Sequence, residues 1–441
     1  MILNNTPRDI IFRITLKFLE SDISLKLIID YYTCKKNNFT KRDISFINNV
    51  SKGIIRFKSV LDYNIFKHSK QKTIDNKTLS LLYLGLYQII YCDSIPNYAS
   101  VNTTIELAKI KSKKSKSFIN AILRKNDKNF LKIDSNSSYD KLKKISFGYR
   151  KWQVNKLTKD YGIDKTRQFL IQNLNIPKIW IRINTLKTTK ENIEEILITN
   201  KIDYKVDKFL EYFLLIEKFD RKNIIKKLIE KGLIYIQNPS SGHVVNILDI
   251  KPKMSVLDAC SAPGGKASLI SQITKNNVEL TCIDNNESRL LTLKNNLSKM
   301  NCKNISFINC DSSTFSSEKL YDIILIDAPC SSFGTVKKNP DIKWRLTEKK
   351  LKNNIETQFK ILNNLKKYVK INGYLIYSTC SIFNDENENN IIKFLNENGN
   401  FNLSKDYKIP SNFKTDLGAM KIFPIDNEYE GMFASRLKRY D

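Results

Sequence analysis

The chain has 441 residues, which is long for one hydrophobic core, so two or three domains are expected. No apolar run approaches the roughly 18 residues of a membrane-spanning helix, and the first residues lack the basic-then-apolar pattern of a signal peptide. The composition therefore excludes an integral membrane protein and predicts a soluble protein of the cytoplasm.

The chain is strongly basic, with a formal net charge of +29 and an isoelectric point near 9.6. Two interpretations stay open at this point. A polyanionic partner such as nucleic acid explains the excess of lysine. Alternatively, Lys, Asn and Ile are abundant everywhere and have A/T-rich codons, so part of the charge reflects composition on solvated faces.

Eight cysteines are scattered along the chain without C-x-x-C spacing, and only two histidines accompany them. This pattern predicts no zinc or other metal site. In a reducing compartment most of these cysteines are expected to be small buried hydrophobes. The residues are Cys34, Cys92, Cys260, Cys282, Cys302, Cys310, Cys330 and Cys380.

The first part of the chain, up to about Asn129, predicts a bundle of helices. Apolar residues recur at helical spacing over 79–90, residues 93–96 end that helix, and 101–109 form the next one. Residues 111–116 are a basic turn, which either binds phosphates or is simply solvated. A last helix at 118–124 closes the bundle.

A small α+β module is predicted to follow a polar, turn-rich linker at residues 134–138. Its strands and helices are predicted at 178–184, 191–198, 209–215 and 221–230. Arg182 and Asn184 lie on the first strand, where we expect them to face either RNA or water.

From about Gly232 onwards, strands and helices alternate, which predicts a doubly wound α/β sheet whose first strand is 233–237. Helices are predicted at 266–273, 288–300, 351–369 and 384–395, and the last strands at 419–423 and 432–437. Val256 and Leu257 form a strand that ends in the turn of Gly264 and Gly265. A strand, a glycine turn and a helix are typical of a nucleotide-cofactor loop, although this pattern alone is weak evidence.

Three further strands of this sheet end in chemically reactive or charged residues, namely Asp284, Asp327 and Cys380. Open α/β sheets bind ligands at the edge where parallel strands end. The sequence therefore predicts a site that combines a nucleotide-like group, carboxylates and thiols. Cys330, which follows Asp327 closely, belongs to the same group.

The motifs at these strand ends resemble those of the Sun (Fmu-type) RNA cytosine-5 methyltransferases, and the likeness extends over nearly the whole chain. The matching segments are 258–266 (DACSAPGGK), 327–331 (DAPCS), 339–344 (NPDIKW) and 378–381 (STCS). Residues 81–124 are similar to NusB-like RNA-binding domains, which indicates the branch of the family that modifies small-subunit ribosomal RNA. The chain departs from the family pattern at Cys310 and at residues 430–433.

The resemblance implies a Rossmann-like class I methyltransferase sheet preceded by an all-α NusB-like bundle and a small α+β module. The domains are predicted at 1–133, 139–231 and 232–441. The implied reaction transfers a methyl group from S-adenosylmethionine to carbon 5 of a cytosine in 16S ribosomal RNA. We expect a monomer without a metal ion.

The chemistry assigns roles to four residues, because carbon 5 of cytosine becomes nucleophilic only after a thiolate adds to carbon 6. We predict that Cys380 is this thiolate and that Lys266 favours its charged form. Asp327 is expected to hydrogen-bond the cytosine ring. The resemblance implies that Cys330 assists release of the product.

For the cofactor, the family resemblance implies a binding loop around the methionine part and carboxylates around the rest. Asp284 is expected on the ribose hydroxyls, Asp311 near the adenine and Asp327 near the methyl group. Asp284 and Asp311 are alternatively ordinary helix caps. The loop residues are Cys260, Ser261, Ala262, Pro263, Gly264, Gly265 and Lys266.

Two other functions are compatible with parts of this pattern. A non-catalytic RNA-binding or assembly factor would not need both thiols and the cofactor carboxylates, which are all present. A DNA cytosine methyltransferase would carry its nucleophile in the Pro-Cys motif at Cys330, and Cys380 with the NusB-like region disfavours that. Trp344 is expected to pack in a core and His243 to be structural.

Overall fold

The computed structural model describes residues 5–34, 39–125, 130–138, 141–142, 145, 148–217, 223–407, 409–425 and 428–441. The predicted boundaries at 129, 139 and 221 fall outside these residues. The chain divides into a helical unit, Met1–Ile176 with Val336–Leu346, and a sheet unit, Pro177–Thr335 with Thr347–Asp441. Of the helices described, none combines the length and the apolar character needed to cross a membrane.

The helical region that the sequence predicts up to about residue 129 contains seven α-helices among the described residues, and an eighth follows them. They are α1 (Pro7–Glu20), α2 (Leu25–Thr33), α3 (Lys41–Arg56), α4 (Lys58–His68), α5 (Asn76–Tyr91), α6 (Asn97–Lys111), α7 (Lys116–Leu123) and α8 (Lys151–Gln172). Leu82 and Leu86 of α5 are fully buried, which confirms the predicted helical spacing. The side chain of Asp75 caps α5 by accepting from the Thr78 N–H at 3.0 Å.

Residues 336–346 lie in the helical unit, although the residues on both sides of them belong to the sheet unit. Main-chain carbonyls of this segment accept hydrogen bonds from Arg56 (to Lys337 O, 2.8 Å) and Gln153 (to Lys343 O, 3.0 Å). The indole N–H of Trp344 donates to the Ile55 carbonyl at 2.9 Å. Trp344 is thus a packing residue, as predicted.

The sheet unit contains a small antiparallel sheet of order β2-β3-β1-β4. Its elements are β1 (Ile179–Ile183), α9 (Lys190–Thr199), β2 (Tyr204–Val206), β3 (Phe213–Ile216), α10 (Ile224–Glu230) and β4 (Ile234–Ile236). The sequence placed residues 233–237 in the doubly wound sheet, which is wrong, because β4 pairs with β1. The finer division into three domains stays a prediction.

The larger sheet has the order β10-β12-β9-β8-β5-β6-β7, and β11 pairs with β12. The five strands from β9 to β7 run parallel, and β12, β10 and β11 pair antiparallel. The strands are β5 (Ser255–Ala259), β6 (Glu279–Asp284), β7 (Ile305–Asn309), β8 (Tyr321–Asp327), β9 (Val369–Thr379), β10 (Phe401–Leu403), β11 (Met420–Ile422) and β12 (Met432–Arg439).

Helices flank these strands and complete an α/β domain. Among the described residues of the sheet unit, the four α-helices that follow β5 lie close to the predicted positions, whereas the one directly before β5 was not predicted. They are α11 (Pro239–Ile247), α12 (Gly265–Ile273), α13 (Glu287–Lys299), α15 (Glu348–Leu365) and α16 (Glu388–Glu397), while the short α14 (Ile342–Arg345) belongs to the helical unit. Because β6, β5, β8 and β9 are parallel neighbours, their carboxyl ends lie at one edge. Asp284, Asp327 and Cys380 therefore lie at that edge.

Candidate active site

The two thiols that the sequence singles out lie side by side. Strands β8 and β9 are parallel neighbours, with Asp327 opposite Ser378, so the turns after them meet at the sheet edge. Cys330 Sγ lies 3.4 Å from Cys380 Sγ. Ser332 Oγ lies 3.3 Å from Cys380 Sγ on the same turn as Cys330.

This approach of two turns depends on a glycine. The Gly334 N–H donates to the Cys380 carbonyl at 2.9 Å. A Cβ atom on Gly334 would lie 2.6 Å from the Cα of Gly431 and 2.7 Å from the Cys380 carbonyl oxygen. Any larger residue would push the Cys330 turn away from Cys380.

The surroundings shift the pKa values of the two thiols in opposite directions. The hydrogen bond from Cys330 lowers the pKa of Cys380, and the Ser332 hydroxyl and the charge of Lys266 act in the same direction, against burial and the charge of Asp327. The hydrogen bond with Cys380, followed by burial, raises the pKa of Cys330. The pair therefore favours a thiolate on Cys380 and a thiol on Cys330.

Lys266 and Asp327 form an ion pair beside the thiols, with Lys266 Nζ 2.5 Å from Asp327 Oδ2. Burial alone would lower the pKa of Lys266, but the Asp327 carboxylate outweighs it and the pKa is raised. The lysine therefore stays charged. The Ser378 hydroxyl donates to Asp327 Oδ1 at 3.0 Å, and the Asp327 side chain remains 35% exposed, which leaves it open to a ligand.

The glycine turn after β5 leads directly into α12, as the sequence predicts. Gly264 adopts φ +99°, and a Cβ there would lie 2.6 Å from Leu293 Cδ1, so both its backbone and its surroundings require glycine. The Gly264 N–H donates to the Ser261 carbonyl at 2.9 Å. The carbonyls of Ala262 and Pro263 accept from Arg289 and Asn296 of α13.

This turn and the strand ends around it fit S-adenosylmethionine. Asp258 is fully buried beneath the turn, and its Oδ2 accepts from the Ser261 hydroxyl at 2.8 Å. Its Oδ1 has no hydrogen-bond partner among the described residues, as expected where a ligand completes the site. Burial raises the pKa of Asp258 to about 7.

Asp284 joins this loop, whereas Asp311 does not. Asp284 is 2% exposed and accepts from the Ala262 N–H at 3.2 Å, with Arg289 at 3.3 Å. Asp311 is exposed and accepts from the Ser313 N–H at 2.7 Å, in the manner of a turn cap. Among the described residues it forms no hydrogen bond with another predicted site residue.

Cys260, at the start of the loop, is not a second reactive thiol. It lies 3.6 Å from Ser312 Oγ, and burial raises its pKa to about 12. A thiol in this state is protonated at neutral pH. We therefore assign Cys260 a packing role in the loop.

Arg182 and Asn184 do not face RNA or water, which corrects the sequence expectation. Both are fully buried. Arg182 donates to Gln237 Oε1 (2.8 Å), to the Gly265 carbonyl (3.0 Å) and to Ser268 Oγ (2.7 Å). The small sheet thus supports the first turn of α12.

His243 is structural, as predicted. It is 2% exposed and packs against the rings of Phe209, Phe413 and Tyr429. Burial lowers its pKa to about 4, so the imidazole is neutral.

The sequence interpretation missed three residues at this edge: Asp258, Ser332 and Glu386. Asp258 stood inside the quoted loop motif but received no role. Ser332 adopts φ +56°, which no local pattern signals. Glu386 lies in a polar surface-like stretch, yet its side chain is fully buried next to the thiol turns.

Comparison with known families agrees with this geometry. Residues 245–438 match the family described as 16S rRNA methyltransferase RsmB/F. Residues 5–128 match the NusB family, and residues 149–221 match the ferredoxin-like domain of RsmF/B-like methyltransferases.

Individual relatives match over most of the chain. A probable ribosomal RNA small subunit methyltransferase B of Coxiella burnetii is 30% identical over 374 residues, which cover 82% of this chain and 85% of that protein. The probable counterpart of Bacillus subtilis is 27% identical over 442 residues, covering 95% and 94%. The crystal structure of the protein PH0851 is 23% identical, covers 98% and 99%, and superposes with a TM-score of 0.79.

Proposed function

Because this chain belongs to the 16S rRNA methyltransferase RsmB/F family, an S-adenosylmethionine-dependent family, we propose that it methylates carbon 5 of a cytosine in 16S ribosomal RNA. We further propose that the reaction proceeds through a covalent bond between Cys380 and carbon 6. Ribosomal RNA as the substrate implies action in the cytoplasm.

The observation that carries the proposal is the pair of thiols 3.4 Å apart whose pKa values shift in opposite directions. A nucleophilic cysteine must be a thiolate at neutral pH. A cysteine that acts first as a general acid must be protonated. Cys380 meets the first requirement and Cys330 the second. The same observation disfavours Cys330 as the attacking thiol. It also argues against a purely RNA-binding protein, which needs neither a thiolate nor a neighbouring protonated thiol.

In the proposed reaction the Cys380 thiolate forms a bond to carbon 6, and the electrons of the carbon 5–carbon 6 double bond move into the ring. Asp327 hydrogen-bonds the ring there, with Lys266 holding the carboxylate. Once the Cys380 sulfur is bonded to carbon, it carries no negative charge, so it no longer raises the pKa of Cys330. The Cys330 proton then passes to the ring nitrogen and leaves Cys330 as a thiolate.

S-adenosylmethionine, when bound, supplies the methyl group that carbon 5 accepts. The Cys330 thiolate then takes the proton from carbon 5. The electrons of that bond restore the double bond as Cys380 leaves, and the ring nitrogen returns its proton to solvent. The thiol pair is thereby regenerated.

We propose that the cofactor is held by the 260–266 loop, by Asp284 on the ribose hydroxyls, and by the open carboxylate of Asp327. Asp258 completes this set beneath the loop, because its free oxygen faces no described partner. Asp311 on the adenine stays an expectation from the family resemblance, because its hydrogen bonds among the described residues lie within its own turn.

The two thiols are tested by replacing each with alanine. Cys380→Ala is expected to bind RNA and cofactor, to form no covalent complex, and to lose activity by on the order of a thousandfold or more. Cys330→Ala is expected to attack and methylate more slowly, because Cys380 loses the hydrogen bond that lowers its pKa and the ring nitrogen must take its proton from solvent. It is then expected to persist as a protein–RNA adduct on a denaturing gel. Gel analysis with radiolabelled methyl donor measures both.

Cys302→Ala is the matched control, because Cys302 is another partly buried thiol of the sheet unit. It is expected to turn over normally and to form no stable adduct. An adduct trapped in Cys380→Ala and absent from Cys330→Ala would mean that the attacking thiol is Cys330.

A further inference from the structure

A buried carboxylate, Glu386, lies beside the thiol pair and has no part in the reaction proposed above. It ends a 3₁₀ turn that follows β9, and its side chain is fully buried. Oε1 accepts from the Ser331 N–H at 2.8 Å and from Gln358 Nε2 at 2.9 Å, and Oε2 accepts from the Ser331 hydroxyl at 2.5 Å. Burial raises the pKa of Glu386, and the hydrogen bonds that its carboxylate accepts offset part of that rise. Among the described residues these donors are neutral and no cation pairs with the carboxylate.

Glu386 binds Ser331, which lies in the chain between Cys330 and Ser332, the two residues whose side chains contact Cys380. Ser331 is preceded by Cys330, whose Sγ is 3.4 Å from Cys380 Sγ, and followed by Ser332, whose Oγ is 3.3 Å from it. Ser331 Oγ also lies 3.1 Å from Ser381 Oγ, on the residue after Cys380. One carboxylate therefore fixes the turn that carries both groups in hydrogen-bond contact with Cys380.

The charges around the two thiols are distributed unequally. The titratable groups that bear on them are Lys266, Asp327, Glu386 and Tyr377. Lys266 lowers the pKa of Cys380. Glu386 raises the pKa of Cys330, after the larger effects of the Cys380 hydrogen bond, of burial and of the Cys380 charge. The positive charge thus favours a thiolate at Cys380, and Glu386 opposes one at Cys330.

We propose that Glu386 is a positioning residue that keeps the shared proton of the thiol pair on Cys330 and the negative charge on Cys380. Its contacts with the Ser331 N–H and hydroxyl hold the Cys330 turn against Cys380, and its charge opposes ionisation of Cys330. The use of that charge in catalysis rests on the proposed function. The location of the charge does not.

The experiment measures where the charge lies without any methyl transfer. The full-length protein, without RNA or cofactor, is treated briefly with limiting iodoacetamide, a neutral reagent that alkylates thiolates. Trypsin separates the two cysteines into peptides 320–337 and 371–393, so mass spectrometry gives the ratio of label on Cys330 and Cys380 within one sample. The native protein is expected to be labelled mainly at Cys380.

Glu386→Gln is the decisive variant. The glutamine carbonyl can still accept from Ser331 and Gln358, so the turn is retained while the charge is removed. The fraction of label on Cys330 relative to Cys380 is expected to rise about tenfold, the change that corresponds to one pKa unit. Ser331→Ala keeps the charge but removes one contact, and it is expected to slow labelling of Cys380 while leaving Cys380 the preferred site.

Glu388→Gln is the matched control, because Glu388 lies two residues further along and pairs with Lys421 at 2.8 Å. It is expected to keep the native label ratio. An unchanged ratio in Glu386→Gln, with only a lower melting temperature, would overturn the inference. A shifted ratio in a protein whose Cys380 proves dispensable for methyl transfer would refute the proposed function and leave the inference standing.

Discussion

At the scale of single residues, the site distinguishes its carboxylates by how far each is buried. Asp258 is sealed beneath the cofactor loop, Asp284 is nearly sealed but tied to the loop backbone, and Asp327 is open. A buried carboxylate that accepts main-chain hydrogen bonds shapes a loop, whereas an open one meets a substrate. Under the proposed function, the two buried carboxylates hold the loop and the cofactor that it binds, and the open Asp327 also meets the cytosine.

Asp284 provides the residue-scale prediction. Asp284→Ala is expected to weaken S-adenosylmethionine binding by about 1.5–3 kcal/mol, because a charged acceptor of hydrogen bonds is lost. RNA affinity is expected to stay nearly unchanged. Isothermal calorimetry with the cofactor measures the first quantity and fluorescence anisotropy with labelled RNA the second.

Glu279→Ala is the control for this experiment, because Glu279 begins the same strand β6 at the opposite edge and is paired with Lys319 on the surface. Its cofactor affinity is expected to match that of the native protein. An unchanged dissociation constant in Asp284→Ala would remove Asp284 from the cofactor site.

At the scale of elements, the parallel core was predictable and the short strands were not. Strands β6, β8 and β9 are largely buried runs that end in a polar residue, so the sequence alone locates their ends and brings Asp284, Asp327 and Cys380 together. β4 has three residues and pairs with β1, which is about 50 positions away. No local pattern distinguishes such a strand from one of the larger sheet.

The wrong prediction that Arg182 faces RNA or water also arose because its contacts come from distant parts of the chain. Its strand alternates, and an arginine on a strand normally faces water. Its partners Gln237, Gly265 and Ser268 come from 55 to 86 residues away, so only the tertiary structure reveals that the guanidinium is inside. Glu386 was missed for a similar reason, because its partner Ser331 is 55 residues away.

The element-scale prediction tests whether the small sheet supports the cofactor loop. Arg182→Met is expected to weaken S-adenosylmethionine binding by about tenfold, or about 1.4 kcal/mol, because the Gly265 carbonyl loses its donor. RNA affinity is expected to be retained. Calorimetry and RNA titration on the same preparation, with a thermal melt to verify folding, measure these effects.

Lys178→Met is the control, since Lys178 precedes the same strand, is itself exposed and pairs with Glu217 at 2.8 Å. It is expected to bind cofactor normally. A loss of RNA binding with native cofactor affinity in Arg182→Met would restore the interpretation of Arg182 as an RNA contact.

At the scale of the whole molecule, the chain links its two units more than once. It leaves the sheet unit after Thr335, contributes 336–346 to the helical unit and returns at Thr347. Lys343 is buried there, and its Nζ donates to the Arg56 carbonyl at 3.0 Å. Deleting the N-terminal helices would strip the packing from this segment, so a truncated protein would not test RNA binding cleanly.

Charge substitution tests RNA binding without that disturbance. Lys113 and Lys114 lie in the basic turn after α6, Lys116 is the first residue of α7, and none of the three is buried. If these lysines contact phosphates, each of them releases one counterion from the RNA on binding. Replacing all three with glutamine prevents the release of those three counterions. The slope of log affinity against log salt is then expected to flatten by about 2–3.

The control triple is Lys253, Lys275 and Lys303, which are exposed and lie at the amino ends of β5, β6 and β7, opposite the thiol edge. Their replacement with glutamine makes the same change in net charge, and we expect the native salt slope. RNA titrations at several salt concentrations compare the three proteins. Equal slopes in all three would mean that the lysines of the basic turn are compositional, whereas flattening in the first triple alone would assign the polyanion contact to the helical unit.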